Sequence, residues 1–179
     1  MATLTAIESL LRDQRGAPPI EKWHPELSGD IDIVITSDGR WIHEGGEIKR
    51  HKLVNLFASI LRREKDGEYY LVTPVEKWRI TVEDLPLQII DFEVSELAEG
   101  RRIAVKTNVD MWLELGTVHP LKVVTDEATQ EPKPAVVLEH GLEARINRAC
   151  FYKLVELAEC IDGQLVLKVG SENFELGRI

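Results

Sequence analysis

Two segments 98 residues apart carry one pattern, EIKRHKLVNLF at 47–57 and RINRACFYKLV at 145–155. Ile48 falls on Ile146, Arg50 on Arg148, Leu53 on Phe151, Leu56 on Leu154 and Phe57 on Val155. Any two helices that each bury one face share apolar positions, so the weight rests on the paired arginines and on the order of elements. Each segment follows a short strand with a glycine-containing turn. Each leads through an Asp-Gly turn, Asp66-Gly67 or Asp162-Gly163, into further strands. The pattern predicts an internally duplicated α+β fold of two small subdomains, each a helix packed on antiparallel strands, meeting with approximate two-fold character.

The rest of the chain fills in that plan. Leu4, Ile7, Leu10 and Leu11 have helical spacing, and Gly16, Pro18 and Pro19 stop it, so residues 1–18 read as an amphipathic helix over 4–15 and a Pro-rich connection. The subdomains then run over 19–86 and 87–179. In the first, Ile31, Ile33 and Ile35 alternate as on a half-buried strand, and Ser37-Asp38-Gly39 turns into a second strand at Arg40–His43. Leu53, Leu56, Phe57, Ile60 and Leu61 predict a helix over 49–63, and the stretches around Pro74 read as extended. In the second, strands are predicted in IIDFEVSEL, RRIAVKT, LKVVT and Ala135–Glu139, with residues 126–134 an exposed loop. A helix over 143–160 and a final hairpin through LVLKV and NFELG complete it.

Composition narrows the function. With 44% apolar and 30% charged residues the chain is an ordinary globular sequence. Its 22 Lys and Arg against 31 Asp and Glu give a net charge of −9, which argues against a surface that binds nucleic acid by bulk charge. No stretch approaches the ~20 apolar residues of a membrane span, and MATLTAIESLLRDQRG lacks the basic start of a secretory signal, so a cytoplasmic protein is expected. Cys150 and Cys160, ten apart in a segment read as helical, are expected to be reduced and mostly buried.

The cations are unusually placed. Lys49, Arg50, His51 and Lys52 gather at the start of the first helix, and Arg145 and Arg148 at the start of the second, where the helix dipole disfavours positive charge. An anion there would be held by free backbone N–H groups and by guanidinium forks, which makes Arg50 and Arg148 candidate ligands for phosphate or carboxylate. The competing reading pairs each arginine with an acid such as Glu76, Asp84 or Asp110. Catalytic and metal signals are absent: the five histidines lack ligand spacing, and no nucleophile elbow or P-loop occurs. No cofactor is implied. Asn108 and Asp110, in TNVD at a predicted strand end, are the polar pair best placed for a cleft, although such residues also make Asx-turns.

The succession GDIDIVI, DGRW, EIKRHKLVNLFASILRRE, DGEYYLVTPVEK, ITVEDLP and NVD, followed by HPLKV, GLEARINRACFYKLVELA and VGSENFELG, resembles the bacterial family called domain of unknown function 1285 from about Pro19 to Gly177. The resemblance implies a duplicated α+β core, a C-terminal half like pleckstrin-homology barrels, a nucleotide-type ligand where the halves meet, and a part in signalling. It also brings TPVEK and NVD toward the ligand, adding Lys77 to Arg50 and Arg148 as a source of positive charge, with Asn108 and Asp110 orienting a ribose or base. One departure is the last hairpin, where Gly170 rather than an aromatic residue precedes Ser171. Three readings follow. The first is a non-enzymatic sensor of a phosphate-bearing small molecule coupled to a protein partner. The second is a magnesium-dependent enzyme acting on a nucleotide or phosphate ester, with Asp110 or Glu76 holding the ion. The third is a structural adaptor that contacts its partner through the N-terminal helix.

Overall fold

The computed structural model describes residues 4–11 and 16–179 and is largely β. It divides into two compact units: the first runs to Pro86 and takes in His140–Leu142, and the second comprises Leu87–Glu139 and Glu143–Ile179. No helix among the described residues is long and apolar enough to cross a membrane.

In the first unit, helix α1 (Leu4–Leu11) precedes β1 (Leu27–Ile35), β2 (Trp41–His43), β3 (Gly46–Glu47), helix α2 (His51–Ala58), β4 (Leu61–Arg63), β5 (Tyr69–Val72) and β6 (Lys77–Val82). The strands form one six-stranded sheet in the order β3-β2-β1-β6-β5-β4. All neighbours are antiparallel except β1 and β6, which run parallel from Leu27 opposite Lys77 to Ile35 opposite Val82. Alternation along β1 sends Ile33 and Ile35 into the core, where Trp41, Phe57, Ile60 and Leu71 are also fully or nearly fully buried.

In the second unit, β7 (Leu87–Leu97), β8 (Gly100–Thr107) and β9 (Trp112–Glu114) form a meander that joins β10 (Leu121–Thr125), β11 (Pro132–Val137) and β12 (Glu143–Ile146) in the order β10-β11-β12-β7-β8-β9. Here the parallel pair is β7 with β12. Helix α3 (Arg148–Glu156) follows, and β13 (Glu159–Ile161), β14 (Gln164–Val169) and β15 (Glu172–Arg178) make a separate three-stranded sheet.

The duplication is explicit in this order. Three antiparallel strands, a helix and three antiparallel strands make up β1-β2-β3-α2-β4-β5-β6, and the same succession returns as β10-β11-β12-α3-β13-β14-β15. The meander β7-β8-β9 has no counterpart in the first unit. The two six-stranded sheets are mixed rather than purely antiparallel, because each contains one parallel pair.

Several predicted boundaries move. The first helix is described to Leu11, and residues 12–15 of its predicted span lie outside the described residues. The helix predicted over 49–63 ends at Ala58: Ile60 N–H bonds back to Phe57, and Leu61 pairs with Leu71 as the first residue of β4. Ile60 and Leu61 are buried as the stripe required, but from extended backbone. The helix predicted over 143–160 is three elements, β12, α3 and β13. Asn147 marks the break, its side-chain oxygen accepting from Cys150 N–H as an N-cap. Arg145 is therefore a strand residue, and Cys160 lies exposed on β13 while Cys150 is buried. Pro132 and Pro134, predicted in a loop, begin β11. Pairing of β12 with β11 covers only Ala135–Val137, so neither proline faces a second neighbour there.

Candidate functional site

Polar side chains concentrate around β4 of the first unit. In a strand, residues two apart share a face, so Arg62 and Glu64 project together beside Tyr70, the partner of Arg62 on β5. Arg62 is mostly buried and uses its whole guanidinium. Nη1 donates to the carbonyls of Ile20 at 3.0 Å and Trp23 at 2.8 Å, fixing the 3₁₀ turn Ile20–Lys22, while Nε and Nη2 donate to Glu64 Oε2 at 3.1 and 2.6 Å. Lys77 Nζ donates to Glu64 Oε1 at 2.8 Å and lies 4.7 Å from the centre of the Tyr70 ring. Burial pushes the Glu64 carboxyl up, but the hydrogen bonds from Lys77 and Arg62 outweigh it and hold the group below the usual glutamate range. Tyr70 donates its hydroxyl to Asp66 Oδ2 at 2.5 Å. That bond, reinforced by burial, pushes the phenol up to about 12, and it draws the Asp66 carboxyl down.

Of these groups Arg62, Glu64 and Asp66 line an open cleft of about 560 Å³, together with Glu21, His24, Arg63, Lys65 and His140, while Tyr70 and Lys77 lie behind them. His140 arrives from far along the chain: Arg63 N–H donates to its carbonyl at 3.0 Å, and Gly141 lies against the Arg63 backbone. The acids Glu64 and Asp66 are already engaged by Arg62, Lys77 and Tyr70. Lys65 is exposed with no side-chain partner among the described residues, and Arg63 spends only Nε, on Gly67 O at 3.2 Å, with its guanidinium 5.5 Å from the Tyr69 ring centre. Glu21 has no hydrogen-bond or ion-pair partner among the described residues, whereas Glu64 and Asp66 are occupied, so the groups left for a ligand are mainly donors.

Of the residues singled out in the sequence, Lys77 alone belongs to this network. Arg50 is the N-cap residue of α2, exposed, with Nη2 2.9 Å from Glu8 Oε1. Arg148 opens α3 and sits 3.6 Å from Glu131, both side chains well exposed. Each helix-start arginine thus has an acid of its own unit, though not one of those named from the sequence. Asp110 has a positive φ of 63° in the turn after β8, 3.9 Å from Lys106 Nζ. Glu76 accepts from Trp78 Nε1 at 3.3 Å. Among the described residues no cluster of three or more His, Cys, Asp or Glu is arranged to hold a metal ion. The sequence reading missed Arg62, Glu64 and Lys65, whose signal was the period-two order of LRREK running across the end of the helix predicted over 49–63, and Tyr70, in a stretch read as extended.

Asn108 holds the sheet together. Its Oδ1 accepts from Gln88 N–H at 3.0 Å and its own N–H donates to Gln88 O at 2.9 Å, extending the β7–β8 ladder by one side-chain bond. Asn108→Ala removes the side-chain acceptor of the Gln88 N–H, with an expected loss of about 1 kcal/mol. Urea denaturation measures it; an unchanged midpoint would mean that water replaces the bond.

Comparisons with known proteins follow the same division. The domain of unknown function (DUF1285), N-terminal domain, matches residues 18–85, and the protein of unknown function (DUF1285), C-terminal domain, matches residues 86–176. No curated protein gives a significant match. The crystal structure of a DUF1285 family protein from Silicibacter pomeroyi DSS-3 is similar over 100% of this chain and 97% of its own, with 38% identity and a TM-score of 0.90. A second, from Shewanella baltica OS155, is similar over 69% of this chain and 90% of its own, with 33% identity and a TM-score of 0.54. With both family domains matched in sequence order across nearly its whole length, the chain belongs to the DUF1285 family.

Proposed function

We propose that the protein is a non-enzymatic receptor for a small phosphate-bearing molecule, bound in the β4 cleft of the first unit and signalled onward to a protein partner. One observation carries this reading: Glu64 and Asp66 are consumed by internal partners, while Lys65, the outer nitrogens of Arg63 and His24 remain for a ligand. Guanidinium and ammonium donors on a rim above a neutralised floor suit a phosphoryl group, and Lys77 acts beneath it by balancing Glu64. The two unpaired thiols suit a reducing cytoplasm. In the same reading α2 and α3 each cover the strands of their own unit, and the second unit is a relative of pleckstrin-homology-like barrels.

Titration with inorganic phosphate, pyrophosphate and a nucleoside monophosphate tests the site. At 100 times its dissociation constant a true ligand stabilises by about 2.7 kcal/mol, a plain shift in the unfolding midpoint. Lys65→Ala and Arg63→Ala, both on exposed side chains, should weaken binding at least fivefold while leaving the ligand-free midpoint close to wild type. No shift with any of the three ligands would remove the reading, as would magnesium-dependent turnover of the bound compound for its non-enzymatic part.

A further inference from the structure

The two copies of the repeat differ at one strand pair. In the first, β1 and β6 close the sheet by pairing in parallel; in the second, the corresponding β10 and β15 approach each other but share no ladder. Where the ladder would lie, the second unit has a cleft of about 560 Å³. Its floor is Phe151 and Val155 of α3 with Leu165 and Leu176, and Val123 of β10 forms a wall. That volume is within the range of small-molecule sites, and these five side chains form an apolar patch beside the polar Thr125, Gln130 and Glu175, which also line the cleft.

The rim is different in kind. Arg178 lines the cleft with its side chain 78% exposed, and its Nε is 3.8 Å from Glu175, too far for a direct hydrogen bond. Arg148 precedes Phe151 by three residues and Val155 by seven, so all three share a face of α3. Its partner Glu131 lies between Gln130 and Pro132, both of which line the cleft, so this loose 3.6 Å pair is adjacent to the cleft without being part of its lining. Exposed pairs at such distances are weak and exchange readily for a better acceptor.

We infer that this cleft binds a single-chain anionic amphiphile, an aliphatic carboxylate whose tail lies over Phe151 and Val155 and whose head is taken by Arg148 and Arg178. The site is separate from the phosphate site proposed above, and inorganic phosphate does not compete for it.

Calorimetric titration of the full chain with hexanoate, octanoate and decanoate, with octanol as the uncharged control, tests this. Affinity should rise by roughly fourfold per added methylene until the cleft is full. Octanol should bind at least tenfold more weakly than octanoate. The double variant Arg148→Ala/Arg178→Ala, altered only at exposed side chains, should lose that tenfold for octanoate and leave octanol unchanged. Val155→Trp fills the floor and should abolish both. A measurement on the unaltered protein guards against a misfolded variant: octanoate should shift the methyl resonances of Val123, Val155 and Leu165 and leave those of Ile33 and Leu71 in place. Non-saturable binding, affinity indifferent to chain length, octanol equal to octanoate, or methyl shifts elsewhere would each overturn the inference.

Discussion

Gly141→Ala should lower the thermal midpoint of the protein by about 10 °C, corresponding to roughly 3 kcal/mol. Two costs combine at this position. Its φ is +72°, where an L-residue gives up about 1 kcal/mol relative to glycine. In addition, a Cβ would stand 2.8 Å from the backbone oxygen of Arg63 and 3.3 Å from its Cβ. A backbone oxygen of a paired strand cannot swing aside as the tip of a side chain can, so the His140–Leu142 segment or β4 must shift. The neighbouring bond from Arg63 N–H to His140 O is then lost or lengthened. Gly163→Ala is the control: its φ is +78°, but nothing lies within 4 Å of a Cβ there, so only the conformational cost of about 1 kcal/mol applies. Equal losses at the two positions would show that the segment moves freely and that the close approach carries no energy.

What was legible from the sequence follows a physical line. The strands with clean alternation, Ile33 and Ile35 on β1 or Leu167 and Val169 on β14, were read correctly because their burial depends on a local period of two. The repeat was legible because Arg50 and Arg148, with the apolar positions behind them, keep one offset, and β4 and β13 obey the same offset of 98. What failed were boundaries set by distant partners. Leu61 completes a helical stripe in the sequence, yet Leu71 claims it for a ladder. Glu143–Ile146 looks like the first turn of a long helix, but it pairs with β11 on one side and β7 on the other, and the β7 pairs, Leu87 with Ala144 to Ile89 with Ile146, join residues far apart in the chain. The local signal present was Asn147, a good N-cap residue three before Cys150. The candidate site suffered from the same error. Once 61–63 is a strand, Arg62 and Glu64 fall on one face; inside a helix they would have diverged.

Glu64 is the second position where a large effect is expected, and here stability and binding should move in opposite directions. Its side chain is 24% exposed and lies between Arg62 at 12% and Lys77 at 17%. Glu64→Ala leaves two mostly buried cations facing each other without an anion, at an expected cost of about 2–3 kcal/mol, below the value for a fully buried pair because some water reaches the site. Arg62 would also lose the partner that steadies its grip on the Ile20 and Trp23 carbonyls. The pH dependence has a definite sign. A carboxyl whose folded pKa lies below its unfolded value, about 4.3, contributes its stability in full above that value and loses it as pH falls through the folded pKa. The stability gap between wild type and Glu64→Gln is therefore widest near neutrality and narrows below about pH 4. A gap constant with pH would show that Glu64 contributes packing rather than charge. Removing the same carboxylate frees Lys77 and Arg62 to attract an anion, so under the phosphate reading Glu64→Gln, though less stable alone, should be stabilised by pyrophosphate more than wild type. Opposite shifts of this kind separate a charge-balanced floor beneath a ligand site from an ion pair that serves the fold alone.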